Sequence, residues 1–356
     1  MKKLLALVLS VALALGVAPF AFAEGETFEL ALVTDIGTID DKSFNQGAWE
    51  GLVQYAEENN LSHKYYQPLE KSTDAYLDQI ELAVNAGAKV IVTPGFLFEE
   101  PIYIAQDMYP DVHFILLDGE PHNADYSEYR TNENVAAILY AEDQSGFLAG
   151  YAVVKGGYTN LGFMGGMAVP AVIRFGYGFL QGAEYAAKEM GIEEITVNYH
   201  YTGSFDATPE AQTLASGWYN DGVEVIFGCG GSVGNSVMAA AEAMENKWVV
   251  GVDKDQSVES ETVITSATKG LAASVYQTLQ QFYAGEFPGA QTTVKDASNE
   301  GVALPMETTK IEGFTQEDYD ALYALLANGE ITLLKDTDAT SAAELPLEIV
   351  KVTVIE

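Results

Sequence analysis

Ala88-Lys89-Val90-Ile91-Val92-Thr93-Pro94-Gly95 and Val112-His113-Phe114-Ile115-Leu116-Leu117-Asp118-Gly119 share one pattern, an unbroken apolar run that ends in a polar, glycine-bearing turn. A strand that alternates polar and apolar residues has one wet face. A strand without alternation is covered on both faces, and such strands belong to parallel sheets flanked by helices. In open sheets of that kind, ligands bind beyond the carboxyl ends of the strands. The turns at Gly95 and Asp118-Gly119 are therefore where a site is expected.

The same reading extends outward in both directions. Further strands are expected over 28–34, 160–164, 195–199, 223–228, 248–252 and 262–265. Helical periods lie between them. Tyr76, Ile80, Ala83 and Val84 fall on one helix face. Thr208-Pro209-Glu210 reads as cap, first-turn proline and early acid, opening a helix to about Asn220. Residues 142–155 and about 269–285 are also helical in pattern, and Thr315 with Glu317 and Asp318 opens a late helix bearing Tyr319, Leu322 and Leu326. The β-α-β alternation runs twice, over about 28–142 and 158–253. This predicts two α/β lobes, each a doubly wound, mostly parallel sheet flanked by helices. Lobe 1 is expected over 24–142 plus about 266–298, and lobe 2 over 143–265 plus about 299–356.

Composition narrows the functions. The 356 residues carry 52 Asp and Glu against 17 Lys and Arg, a formal net charge of −35. Such a field repels phosphates, so nucleic acid is not expected as a partner. The aromatic and aliphatic content excludes a disordered chain. One cysteine excludes an internal disulfide framework. Residues 1–23 read as a signal peptide: Lys2 and Lys3, an apolar run from Leu4 to Val17, and Ala21-Phe22-Ala23 as the cleavage pattern. The expected location is outside the cytoplasmic membrane, periplasmic or surface-associated. Ala23-Glu24 offers no cysteine for lipid attachment.

Several chemistries are poorly supplied. His63, His113, His122 and His200 are scattered, with no ligand spacing for zinc. Cys229 reads as a small buried residue ending a strand. Gly162, Gly165 and Gly166 depart from the dinucleotide spacing. Asp40-Asp41 lacks the rest of a calcium loop and reads as a turn or helix cap. No catalytic residues, metal or cofactor are expected. Carboxylates, aromatics and glycines in strand-end turns remain.

Leu32-Val33-Thr34-Asp35-Ile36-Gly37-Thr38-Ile39-Asp40-Asp41-Lys42-Ser43-Phe44-Asn45-Gln46 resembles the opening signature of the basic membrane protein family. Leu116-Leu117-Asp118-Gly119, Gly162 to Met167 with Arg174 to Phe179, Val225-Ile226-Phe227 with Gly230-Gly231, and Gly251 to Gln256 with Thr265 to Lys269 agree in order. The resemblance spans about 28–285. It implies a type I periplasmic-binding-protein-like fold with a hinge between its lobes and a substrate-binding protein of an ABC transporter, with a nucleoside, a purine nucleoside foremost, as ligand. By that resemblance Phe44 and Phe175 sandwich the base, Asn45 and Asp118 bond its edges, Asp253 and Lys269 hold the ribose, and Asp35 and Gly230 line the cleft. A permease with its cytoplasmic ATPase is the implied partner, and the protein is expected to act as a monomer. A sugar or flavin in the same fold, a surface receptor without transport, and an extracellular nucleoside hydrolase are the competing readings.

Overall fold

The computed structural model describes residues 27–355; the expected signal peptide lies outside the described residues. Two sheets organise the chain. The first is built from β1 (Leu30–Val33), β2 (His63–Tyr66), β3 (Val90–Pro94), β4 (His113–Leu117), β5 (Val135–Tyr140) and β11 (Gln291–Lys295). Its order is β11-β5-β4-β3-β1-β2, parallel throughout. The second sheet contains β6 (Asn160–Gly165), β7 (Ile195–Tyr201), β8 (Val225–Cys229), β9 (Trp248–Asp253), β10 (Val263–Lys269), β12 (Val302–Ala303) and β13 (Val350–Val354). Its order is β12-β10-β9-β8-β6-β7-β13, with only β12 antiparallel. β1, β3 and β8 are buried along their whole length, as their unbroken apolar runs require.

Helices cover both sheets. In the first lobe these are α1 (Phe44–Glu58), α2 (Thr73–Asn85) and α3 (Glu99–Met108). In the second they are α4 (Glu142–Lys155), α5 (Pro170–Met190), α6 (Pro209–Asn220) and α7 (Val233–Glu242). Then α8 (Leu271–Ala284) returns to the first lobe, seating Leu271 and Ala272 against Gly47 and Gly51 of α1. The last helix, α9 (Gln316–Ala327), begins at Thr315, whose hydroxyl accepts from the Asp318 backbone N–H while Asp318 accepts from the Thr315 backbone.

Two boundaries differ from the sequence reading. β10 runs to Lys269, so residues 266–269, expected in lobe 1, belong to the second sheet. Glu142, placed at the end of lobe 1, instead opens α4 of lobe 2. Three segments thus cross between lobes, at Ala141, at Gly270 and over residues 296–301. They are tied side by side. The Ala141 N–H donates to the Lys295 carbonyl at 2.9 Å, and the Gly270 N–H donates to the Gly301 carbonyl at 2.9 Å.

Candidate functional site

Between the lobes lies a cavity of about 430 Å³. All eight residues singled out in the sequence line it: Asp35, Phe44, Asn45, Asp118, Phe175, Gly230, Asp253 and Lys269. The topology explains this convergence. Asp35, Asp118 and Asp253 stand at the carboxyl ends of β1, β4 and β9, where the backbone turns away from its sheet. Asp118 and Asp253 make that turn in the left-handed region, at φ +55° and +67°. Gly230, at φ +116°, follows β8 with Gly231 and lets the Phe205 ring approach; a Cβ there would meet the ring at 3.1 Å.

Lys269 is the electrostatic centre. Its ammonium is 6% exposed at the residue level and bonds Asp118 Oδ2, with Glu142 Oε1 at 3.2 Å and Asp253 Oδ1 at 3.9 Å. It also lies over three rings, 4.8 Å from the centroid of Phe44 and 5.3 Å from those of Tyr140 and Phe175. Burial alone would lower its pKa. Asp118, Glu142 and Asp253 outweigh that and hold the ammonium above its ordinary value. Burial lifts all three carboxylates, and Lys269 only partly offsets it; Glu142 reaches about 7.

The remaining polar groups sort into held and free. The Ser43 hydroxyl donates to Asp253 Oδ2 across the cleft. Asp41 is buried and caps α1, accepting from the backbone N–H of Ser43 at 2.8 Å, Asn45 at 2.9 Å and Gln46 at 3.1 Å. Asn45 is largely committed within the protein. Its amide donates to Asp35 Oδ1 at 2.9 Å and Asp41 Oδ2 at 3.0 Å, and its carbonyl accepts from the Asp35 N–H at 3.3 Å. It braces the β1 turn and has one lone pair left for a ligand. Burial lifts the Asp35 carboxyl to about 6, against bonds from Gly37 and Asn45. Asp118 Oδ1 and Glu142 Oε2 are buried without a hydrogen-bond partner among the described residues. A buried acceptor left unpaired is costly, so these oxygens are poised for a donor from a ligand.

Among the lining residues that the sequence reading did not single out are Glu142 and Arg174. Glu142 is 1% exposed at the first turn of α4. Arg174 of α5 sets Nη1 at 3.6 Å from Glu142 Oε2, while its Nε donates to Asp336 Oδ1 at 2.6 Å. An acid in the first turn of a helix reads as a partner of the helix dipole, so nothing in the sequence flagged Glu142. Arg174 was visible within a quoted motif, yet its partner Asp336 is distant in sequence. Cys229 ends β8 on the cavity wall, and burial pushes its thiol well above the ordinary value. Among the described residues, no group of three or more His, Cys, Asp or Glu is arranged to hold a metal ion, and no helix is long and apolar enough to cross a membrane.

Known proteins resemble this chain in sequence or in fold. The ABC transporter nucleoside-binding protein BmpA of Lactococcus lactis is 30% identical over 304 residues, covering 79% of this chain and 82% of that protein. Basic membrane protein A2 of Borrelia garinii is 30% identical over 301 residues, 83% of this chain and 85% of its own. Among solved structures, an ABC transporter solute-binding protein from Aeropyrum pernix superposes with a TM-score of 0.75 at 24% identity, over 88% of this chain and 95% of its own. That likeness is one of fold. Residues 28–333 match the sequence profile of the family described as Bmp, ABC transporter substrate-binding protein PnrA-like. The chain belongs to that family and is a substrate-binding protein, not an enzyme.

Proposed function

We propose that this protein captures a nucleoside, a purine nucleoside foremost, between its two lobes and delivers it to an ABC permease driven by a cytoplasmic ATPase. The observation that carries the reading is the pairing of Phe44 and Phe175 around Lys269, with a carboxylate oxygen on each of Asp118 and Glu142 that accepts no hydrogen bond beside them. Aromatic faces suit a planar base, and each base–aromatic stack is worth roughly 1–3 kcal/mol. Unpaired buried acceptors suit the N–H groups of a base and the O–H groups of a ribose. Asp253 has two oxygens for vicinal hydroxyls, and Asn45 acts chiefly by holding Asp35 in place. The two cations of the cavity are already engaged by carboxylates, which favours an uncharged nucleoside over a nucleotide. The nucleoside-binding relative from Lactococcus lactis supports the same choice. In this reading the protein works as a monomer outside the cytoplasmic membrane, after cleavage following Ala23.

Calorimetric titration with inosine, guanosine, adenosine, cytidine and ribose tests the proposal. Binding of the purine nucleosides well above ribose is expected. Heat from ribose alone would make it a sugar receptor, and no heat from any nucleoside would sink it. Visible absorbance of freshly purified protein would reveal a flavin instead.

A further inference from the structure

A second space opens off the cleft within the first lobe. It measures about 220 Å³ and shares Phe96, Glu99 and Tyr126 with the main cavity. We propose that this side chamber receives a hydrogen-bond-donating substituent, an amine or hydroxyl arm, carried on the base edge of the nucleoside. The inference rests on the nucleoside reading above and narrows its ligand class.

The chamber is polar and rich in acceptors. Glu99 forms a fixed part of its wall: Oε1 accepts from the Glu120 N–H at 3.1 Å and Oε2 pairs with His122 Nε2 at 3.1 Å. Glu100 lies beside it and accepts the Thr73 hydroxyl at 2.6 Å. Tyr76 supplies the independent observation. It lines the chamber, is 1% exposed, and its hydroxyl has no hydrogen-bond partner among the described residues. A tyrosine hydroxyl buried without a partner is rare, because desolvating it uncompensated costs free energy. Lys71 also lines the chamber, its ammonium turned onto the Phe96 ring at 5.9 Å and Met167 Sδ at 3.6 Å.

Position links chamber and base. Gly119 follows Asp118, the residue proposed to read the base edge. A Cβ at Gly119 would fall 2.7 Å from Glu99 Cγ, so Glu99 packs against the backbone next to Asp118, and both residues line the main cavity. An arm leaving the base toward Asp118 therefore meets Glu99 and passes Phe96 into the chamber. A site lined by buried polar groups discriminates strongly against an analogue that lacks the matching donor.

The test compares adenosine, adenosine with an aminoethyl group on its exocyclic nitrogen, and adenosine with the nearly isosteric propyl group, by calorimetry on the intact protein. The aminoethyl compound is expected to bind at least about tenfold tighter than the propyl compound. Tyr76→Phe and Glu100→Gln should each shrink that ratio by about threefold or more. Equal affinity for the two arms, rejection of both while adenosine binds, or a ratio that neither substitution changes would overturn the chamber proposal alone. Failure of adenosine, inosine and guanosine to bind at all would overturn the nucleoside reading and this inference with it.

Discussion

Asp253 meets Ser43 from the opposite lobe with one oxygen and stands 3.9 Å from the Lys269 ammonium with the other. A carboxylate so placed has a specific job in the proposed complex, to accept from the two ribose hydroxyls. Removing a hydrogen bond to a charged group costs about 1.5–3 kcal/mol, or roughly ten- to a hundredfold in affinity. Asp253→Ala is therefore expected to weaken ribonucleosides by that factor and 2′-deoxyribonucleosides much less, as read by titration; equal losses for both would remove the ribose role. The three strand-end aspartates were legible because parallel strands end where ligands bind. Glu142 was not, because burial rather than residue type gives it its character. The sequence also could not show that Asn45 spends most of its amide on Asp35 and Asp41.

At the scale of elements, α4 and α5 lie unusually close. Gly146 and Gly150 of α4 face the carbonyls of Phe175 and Phe179, and Gly178 and Gly182 of α5 face those of Asp143 and Phe147. A Cβ on Gly146 would lie 2.1 Å from the Phe175 carbonyl oxygen. This contact sets the height of Phe175 and Arg174 over the cavity. Gly146→Ala should lower stability by about 1–3 kcal/mol or more through overpacking, and weaken ligand binding as α5 shifts; thermal melting with and without ligand measures both, and an unchanged melting temperature would contradict the packing account. Most covered strands were legible here and edge strands were not; β5, though buried along nearly its whole length, also went unread, because a short apolar run holding two alanines fits a helix as well as a strand. β11, Gln-Thr-Thr-Val-Lys, is mostly exposed, and β13 alternates in a segment otherwise without regular structure. Neither has an apolar run to announce it, since each is covered on one side at most. The two-residue β12 is too short for any period to register.

Across the whole molecule, buried carboxylates couple stability to pH. Burial lifts Asp35 and Asp143 to about 6 and Glu142 to about 7, from ordinary values of 3.8 and 4.5. Between those limits the folded state binds more protons than the unfolded one, so stability falls as pH rises. The unliganded protein should melt at a higher temperature at pH 5.5 than at pH 8. The formal charge of −35 acts in the same direction, since acidification relieves self-repulsion. Glu142→Gln separates the two effects: it should reduce the slope throughout the interval from 4.5 to about 7, most visibly above about 6 where Asp35 and Asp143 no longer contribute. A melting temperature that climbs with pH through this window, or an unaltered curve in the variant, would contradict the assignment.

The three segments that cross between the lobes are bonded edge to edge at Ala141–Lys295 and Gly270–Gly301. Mechanically they form one narrow ribbon, compliant to bending and stiff to shear and torsion. We expect the lobes to move chiefly by bending at that ribbon, like a door on a long strip of hinge. Glu142 and Lys269 sit one residue from that ribbon, at its axis, where opening displaces them least. Lys269, Glu142 and Asp253 ride on one lobe and keep their contacts, whereas Asp118, carried by the other, is the charged partner that opening would draw away, and a dye pair placed across the mouth would follow that motion.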